Sequence, residues 1–175
     1  MAGRLLLLCL ALIAATARAE DGYRLWLRYD PIGDPALRDT YRRAFNRVIL
    51  AVPAGADAAV LASAQAELSA GLSGLLGQAP AITLESAAPE PALGDEGYRI
   101  ARPAADAVRL SANRAPGVLY GAFALLRQIQ LRRPVDQVAT TSRPRIQRRL
   151  LNHWDNLNGF VERGYAGFSL WQWFY

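Results

Sequence analysis

The sequence predicts an α+β domain of two layers, in which helices cover one face of a mixed β-sheet. Three observations lead to this prediction. Short apolar runs indicate strands, two longer runs repeat their apolar residues every three or four positions as helices do, and the connections between elements are short enough for hairpins. No internal repeat is visible. The chain has 175 residues, of which 52% are hydrophobic, enough for one packed core.

Residues 1–19 are expected to be a secretory signal peptide. Arg4 supplies the positive start, residues 5–15 form an apolar run too short to span a bilayer, and Ala17-Arg18-Ala19 has the small residues of a signal-peptidase site. Cleavage after Ala19 would place the protein in the periplasm or outside the cell and would remove Cys9, the only cysteine. We expect no disulfide or thiolate metal site in the mature chain, and no later run long enough to cross a membrane.

The basic residues are all arginines, and the net charge is +5. This excess is mild and spread along the chain, whereas a nucleic-acid-binding face concentrates its basic residues. Only residues 143–149 approach such a cluster, and we favour the interpretation of that run as a solvated approach to a strand. We therefore expect no nucleic-acid partner, and no membrane contact after the signal peptide is removed.

The first predicted elements of the mature chain are a strand, a short helix and a second strand. Residues 23–29 alternate aromatic or aliphatic side chains with polar ones and predict a strand, which the prolines and glycine of residues 30–35 end as a turn. Residues 36–45 predict a short helix, and residues 47–52 predict a compact apolar strand.

The longest predicted helix covers residues 58–76. Asp57 is a suitable N-cap, and Gly77 suits the left-handed residue that commonly ends a helix. Gly71 and Gly74 each weaken this helix by roughly 1 kcal/mol relative to alanine, so we expect a backbone to pack closely there. The apolar face consists of residues at three- and four-residue steps: Leu61, Ala64, Leu68, Leu72 and Leu75.

The second half of the domain predicts a strand, a hairpin and a helix joined by loops. In chain order we expect a strand over 81–85, a Pro- and Ala-rich loop over 86–95, hairpin strands over 98–101 and 107–111, a turn at 113–116, a helix over 117–130, and a linker over 132–144 containing one short strand.

A dense cluster of polar and aromatic residues follows the linker. The only histidine lies in Asn152-His153-Trp154-Asp155-Asn156, and eight aromatic residues fall within residues 154–175. Polar side chains at the carboxyl end of a strand are typical of the site of a (β/α)8 barrel, and also of other α/β folds. Because the sequence stops at Tyr175, soon after this cluster, we expect it to be an incomplete piece of a longer protein.

The polar residues of this cluster allow several interpretations. Asp155 and Glu162 suit acid and base roles in a glycosidase. Alternatively, Asp155 caps a turn while Glu162 pairs with an arginine, or either carboxylate orients a substrate. His153 is either a substrate contact or a packed, hydrogen-bonded group, and it has no second histidine or cysteine at metal-binding spacing. Trp154 either stacks on the face of a sugar or packs in a core.

Two motifs of this cluster carry a family resemblance. Residues 152–157, Asn-His-Trp-Asp-Asn-Leu, and residues 161–167, Val-Glu-Arg-Gly-Tyr-Ala-Gly, resemble the entry to the catalytic barrel of the secreted xylan α-glucuronidases, glycoside hydrolase family 67. Residues 22–30 resemble the start of that family's N-terminal domain, and residues 117–127 resemble the last helix of that domain. A helix of this kind also occurs in the accessory domain of the β-hexosaminidases.

The resemblance implies the organisation of the chain and its chemistry. Residues 20–135 would form a two-layer α+β domain like the β-hexosaminidase accessory domain, and residues 136–175 a linker and the first strand of a truncated TIM barrel. The implied reaction is hydrolysis, with inversion, of the α-1,2 bond of 4-O-methylglucuronic acid on xylo-oligosaccharides or glucuronoxylan fragments. No cofactor or metal is implied. A homodimer of the full-length protein is compatible with this family resemblance.

Carried over residue by residue, the resemblance implies a contribution to the substrate pocket. Trp154 is the first choice, as an aromatic wall for the sugar, and Asn152, Asp155, Glu162 and Arg163 are further pocket groups. The family's catalytic carboxylates come from later barrel strands, so we expect no catalytic residue in this chain. Two alternatives stay open: another accessory-domain glycosidase such as a β-hexosaminidase, and a non-catalytic secreted carbohydrate-binding or assembly module.

Overall fold

The chain divides into two compact units, Met1–Arg143 and Pro144–Tyr175. The structure, a computed structural model, describes residues 28–146 and 149–150. The regular elements of the first unit are, in chain order, helix α1 (Pro35–Ala44), strand β1 (Arg47–Val52), helix α2 (Ala58–Leu76), strand β2 (Ala81–Ser86), strand β3 (Tyr98–Ala104), strand β4 (Ala107–Ala112), helix α3 (Ala115–Gln130) and strand β5 (Thr140–Ser142), with short 3-10 helices at Pro91–Leu93 and Val135–Gln137.

The five strands form one open mixed sheet in the order β2-β1-β4-β3-β5. Strand β1 runs parallel to both of its neighbours, β2 and β4. Helix α2 carries the chain from the end of β1 back to the start of β2, as a parallel pair requires. Strand β3 is antiparallel to β4 and to β5. The mixed sheet with its helices agrees with the α+β class that the sequence predicts.

The helices pack on one face of this sheet. Alternate residues of β1 and β4, such as Val48, Leu50 and Leu110, are fully buried and belong to one core cluster with residues of all three helices. Helix α3 approaches the sheet closely, because Gly117 and Gly121 lie directly against the side chains of Ala112 and Tyr98. The alternate residues, such as Arg47, Ile49 and Arg109, lie on the opposite face of the sheet.

Local sequence signals predict α1, β1 and α2 closely. Asp34 caps α1 by accepting hydrogen bonds from the backbone N–H groups of Ala36 and Leu37, at 2.9 and 3.2 Å. Asp57 caps α2 in the same way. Gly77 ends α2 in the left-handed conformation, with φ of 70°. Helix α3 starts at Ala115, two residues before the predicted start, because the prolyl ring of Pro116 suits the first helical turn.

The two glycines of α2 are explained by close packing, and the prediction of a close backbone is confirmed at Gly74. A Cβ at position 74 would lie 2.5 Å from the carbonyl oxygen of Tyr29. At Gly71 the close neighbour is a side chain, since a Cβ there would lie 2.6 Å from a terminal carbon of Leu126 in α3. Glycine lowers the helix propensity of α2 at positions 71 and 74. At these two positions Leu126 of α3 and the Tyr29 backbone lie close to α2.

Residues 28–32, here called the strap, lie on the helices rather than in the sheet. The backbone N–H of Ile32 donates to the carbonyl of Leu75 at 3.0 Å, and the Tyr29 phenol donates to Glu67. Burial raises the pKa of Tyr29, and the bond to Glu67 adds to this rise. The predicted strand over 23–29 is wrong at Arg28 and Tyr29, because the Arg28 carbonyl accepts from Gln130 of α3 and the Tyr29 phenol donates to Glu67 of α2. Residues 23–27 lie outside the described residues.

The linker contributes to the sheet as predicted. Its short strand β5 pairs with β3, with Thr141 opposite Arg99. Upstream, the phenol of Tyr41 donates to the carbonyl of Arg133 at 2.6 Å and so ties the linker to α1. The first unit ends at Arg143, directly after β5.

Helix α2 corrects the expectation that no run after the signal peptide is long enough to cross a membrane. In the part of the chain that the structure describes, Ala58–Leu76 passes that test on length and composition. Its leucines, including Leu68 and Leu72, are fully buried in the core cluster. A core helix of a globular domain has the same properties, so the composition of α2 is explained by packing.

Candidate functional site

The residues that the sequence predicts for the substrate pocket lie outside the described residues. These are Trp154, Asn152, Asp155, Glu162 and Arg163, together with His153. Their assignment to a sugar-binding pocket therefore stays a prediction. The described residues show what precedes this segment: a sheet, its helices and a cleft at one edge of the sheet.

A cleft of about 360 Å³ lies at the carboxyl ends of strands β1 and β4. The loop after β1 leads to α2 and the loop after β4 leads to α3, and residues of both loops line the cleft. The cleft is lined by Pro53, Ala54, Gly55, Ala56, Asp57, Asn113, Arg114, Ala115 and Pro116.

The lining of this cleft does not provide glycosidase chemistry. Asp57 supplies the one carboxylate among these lining residues, and its Oδ1 already accepts from the backbone N–H groups of Ala59 and Val60, at 2.9 and 3.2 Å. Arg114 pairs with Asp95 at 3.2 Å, with both side chains largely exposed. Glycoside hydrolysis requires two carboxylates across the scissile bond. The cleft therefore does not contain a catalytic pair.

Asn113 organises the rim of the cleft. Its Oδ1 accepts from the Glu90 backbone N–H at 2.7 Å, and its Nδ2 donates to the carbonyls of Glu90 and Gly94, both at 2.8 Å. The side chain thus attaches the loop before β3 to the turn that opens α3. The prediction of a turn at residues 113–116 did not include this role, because the partners of Asn113 lie about twenty residues upstream.

We expect Asn113→Ala to lower the free energy of unfolding by about 1–3 kcal/mol, because the Glu90 N–H and the Gly94 carbonyl lose the partner that Asn113 provides. The Glu90 carbonyl also loses one of its two donors and keeps the Leu93 N–H. Asn113→Asp is the matched variant: it keeps an acceptor for the Glu90 N–H but loses both donors and places a carboxylate beside two carbonyls. Urea unfolding followed by circular dichroism measures both. Equal stability of the Asn113→Ala variant and the wild type would contradict the attachment of the loop before β3 by Asn113.

The open face of the sheet carries ion pairs. Arg109 of β4 donates to the carboxylate of Glu85 of β2 at 2.6 Å. The guanidinium Nη2 of Arg99 in β3 lies 2.7 Å from Oε2 of Glu90. At the start of β1, Arg47 forms two hydrogen bonds to Asp106, and these hold the Asp106 pKa below its usual range. The one aromatic residue in the described strands is Tyr98, and it faces α3. This face therefore has no aromatic platform for a sugar.

Comparison with protein families gives two matches, one near each end of the chain. Residues 25–88 match the model described as glycosyl hydrolase family 67 N-terminus. Residues 128–175 match the model described as glycosyl hydrolase family 67 middle domain. The second match begins inside α3, includes β5 and extends through the cluster at residues 152–167.

Known proteins of this family are similar over nearly the whole chain. Alpha-glucuronidase A of Aspergillus tubingensis is 31% identical over 183 residues, which are 93% of this chain and 21% of the relative. Alpha-glucuronidase A of Emericella nidulans is 31% identical over 198 residues, 97% of this chain and 23% of the relative. Alpha-glucuronidase of Hypocrea jecorina is also 31% identical, over 95% of this chain and 23% of its own length.

The chain thus spans about a fifth of the length of the curated relatives that it matches. The two family matches occur in chain order, N-terminal before middle domain, and the similarity to the relatives runs through both of them. The two models match residues 25–88 and 128–175, and the similarity to these two relatives extends over 93–97% of the chain. From its first strand to its aromatic C-terminal segment, this chain belongs to glycosyl hydrolase family 67.

Proposed function

We propose that the full-length protein is a secreted α-glucuronidase. It hydrolyses the α-1,2 bond between (4-O-methyl)glucuronic acid and xylo-oligosaccharides released from glucuronoxylan. The observation that supports this most strongly is the middle-domain match over residues 128–175, because that segment contains both motifs of the predicted pocket. The relatives named above, which are alpha-glucuronidases, support the same activity.

In this proposal, residues 20–135 form the N-terminal domain, and residues 136–175 lead into a (β/α)8 barrel. Barrel enzymes build their sites from residues at the carboxyl ends of several strands. Trp154 then forms an aromatic wall for the sugar, and Asn152, Asp155, Glu162 and Arg163 bind or orient it. The acid that protonates the leaving oxygen and the base that activates water come from later strands.

The two alternatives receive less support. A β-hexosaminidase would share the accessory-domain architecture, but both family matches and the named relatives favour α-glucuronidase. A carbohydrate-binding module without catalytic activity would use exposed aromatic side chains as a platform. In the described strands the open face offers none, which argues against that role for the sheet.

A substrate panel tests the proposal. The full-length protein is expected to release glucuronic or 4-O-methylglucuronic acid from aldouronic acids and to leave 4-nitrophenyl N-acetyl-β-glucosaminide intact. Residues 20–175 expressed alone are expected to release no sugar from either substrate, because the catalytic carboxylates come from elsewhere. Hydrolysis of the hexosaminide without hydrolysis of aldouronic acids would replace the proposed activity with the first alternative.

A further inference from the structure

Strand β2 is the first strand in the order of the sheet, and alternate residues of it direct their backbone groups away from β1. The N–H of Ala87, directly after β2, donates to the carbonyl of Val52 in β1 at 3.1 Å. Successive residues of a strand direct their backbone groups to alternate sides, so the odd-numbered residues of β2 bond to β1. The residues whose N–H and C=O groups face outward, where no strand of the described part of the chain pairs with them, are Ile82, Leu84 and Ser86.

The two edge strands of the sheet differ in their protection against further pairing. Natural edge strands are commonly short, interrupted by proline or a bulge, or charged, because an open edge is a template for another strand. Strand β5 is three residues long, and Pro144 follows it closely. Strand β2 has six residues in unbroken register with β1 and contains no proline or glycine. Its one charged residue, Glu85, is bound to Arg109 of β4.

The side chains of β2 define the kind of strand that matches its outer side. Ile82 and Leu84 lie beside the buried Val48 and Leu50 of β1, on the face that the helices cover, and Leu84 is 50% exposed. Thr83 and Glu85 lie on the other face, because side chains alternate along a strand. A matching strand is therefore apolar on the first face and polar on the second. Strand β2 of a second copy, turned antiparallel, meets both requirements.

One antiparallel register suits two copies of β2 better than its neighbours. When Leu84 lies opposite the partner's Leu84, all three outward-facing residues of each strand are paired, through about six hydrogen bonds. Glu85 then lies opposite the partner's Thr83, whose hydroxyl is a donor. A register centred on Glu85 places two carboxylates directly opposite each other, which destabilises a pair of strands. A register centred on Thr83 retains only about four of the hydrogen bonds.

We propose that the outer side of β2 is an interface between two copies of this chain, which joins their sheets about a two-fold axis at Leu84. Such an interface is self-complementary, because both copies contribute the same residues. The backbone hydrogen bonds supply the affinity, and the side chains of Thr83, Leu84 and Glu85 select the register. The interface involves residues of the first unit alone and does not depend on the proposed glycosidase activity.

Charged variants of Leu84 test this interface in residues 20–175, because the two-fold axis places this residue opposite itself. Leu84→Lys and Leu84→Glu each bring like charges together, so each variant alone is expected to dimerise about tenfold more weakly than the wild type. An equimolar mixture of the two variants is expected to recover dimerisation, because opposite charges then face each other. Sedimentation equilibrium over a concentration series measures association, and circular dichroism verifies folding.

The matched control is Leu131→Lys, which introduces the same charge at a leucine that is 57% exposed at the end of α3. It is expected to dimerise as the wild type does. A wild type that stays monomeric at concentrations on the order of 1 mM would overturn the proposal. A dimer that both Leu84 variants retain would also overturn it, because another surface then holds the copies together. So would a mixture that associates no better than either variant alone, since Leu84 then does not face itself.

Discussion

In the full-length protein, Trp154→Ala is expected to lower kcat/KM on aldouronic acids about 10- to 100-fold. The physical reason is the loss of a large apolar surface against the sugar, since burial of such a side chain contributes about 1.5–3 kcal/mol and each 1.4 kcal/mol corresponds to a factor of ten. An aromatic wall holds the sugar both before and during the reaction. The loss is therefore expected mainly as a higher KM, with a smaller change in kcat.

The matched variant for this prediction is Trp154→Phe. It keeps a flat aromatic surface but loses the indole N–H, so it is expected to retain most of the wild-type kcat/KM. Steady-state kinetics with an aldouronic acid, and circular dichroism to verify folding, measure both variants. A folded Trp154→Ala enzyme with unchanged kcat/KM would remove Trp154 from the pocket and favour its alternative role in core packing.

Replacement of Gly97 by alanine is expected to lower the free energy of unfolding of the domain by about 3 kcal/mol. Gly97 is buried, and a Cβ at this position would lie 2.1 Å from the carbonyl oxygen of Leu93 and 2.8 Å from that of Ser142. Both neighbours are backbone atoms, so neither can turn away as a side chain can. The methyl group must displace either the loop before β3 or the edge strand β5.

Gly33→Ala is the control for this variant. No atom lies within 4 Å of a Cβ at position 33, and its φ is not in the left-handed region. It is therefore expected to leave stability unchanged or to raise it by about 0.4–1 kcal/mol, because alanine restricts the unfolded chain. Urea unfolding of residues 20–175 measures both variants. An unfolding midpoint of Gly97→Ala equal to that of the wild type would show that β5 and the loop are not packed against Gly97.

The sequence predicts those parts of the fold that depend on neighbours along the chain. The boundaries of α2 follow from the caps at Asp57 and Gly77 and from the apolar spacing between them, and β1 coincides with the compact apolar run at residues 47–52. The order of the strands in the sheet does not follow from such local signals. Strand β4 pairs with β1 across more than fifty residues, and the place of β5 beside β3 depends on packing around Gly97. No local pattern contains that information.

The predictions that failed at residues 28–29 and at Asn113 also depend on contacts between residues that are distant in the sequence. Arg28 and Tyr29 continue a strand-like alternation, but bonds to Gln130 and Glu67 hold them on the helices. Asn113 looks like an ordinary turn residue until Glu90 and Gly94 are seen to bind it. For the pocket, no periodicity identifies Trp154 or Arg163 as sugar-binding residues. That prediction depends on the resemblance of residues 152–167 to one family, and the middle-domain match over 128–175 agrees with the family.

The central claim is that the full-length protein is an α-glucuronidase, and proton NMR of its reaction with an aldouronic acid tests it most directly. The α-1,2 anomeric signal of the substrate is expected to disappear while β-glucuronic acid, or its 4-O-methyl derivative, appears first and then mutarotates, as inversion requires. Persistence of the α-1,2 signal would contradict the activity. Initial appearance of the α-anomer would contradict the inverting mechanism and its arrangement of carboxylates.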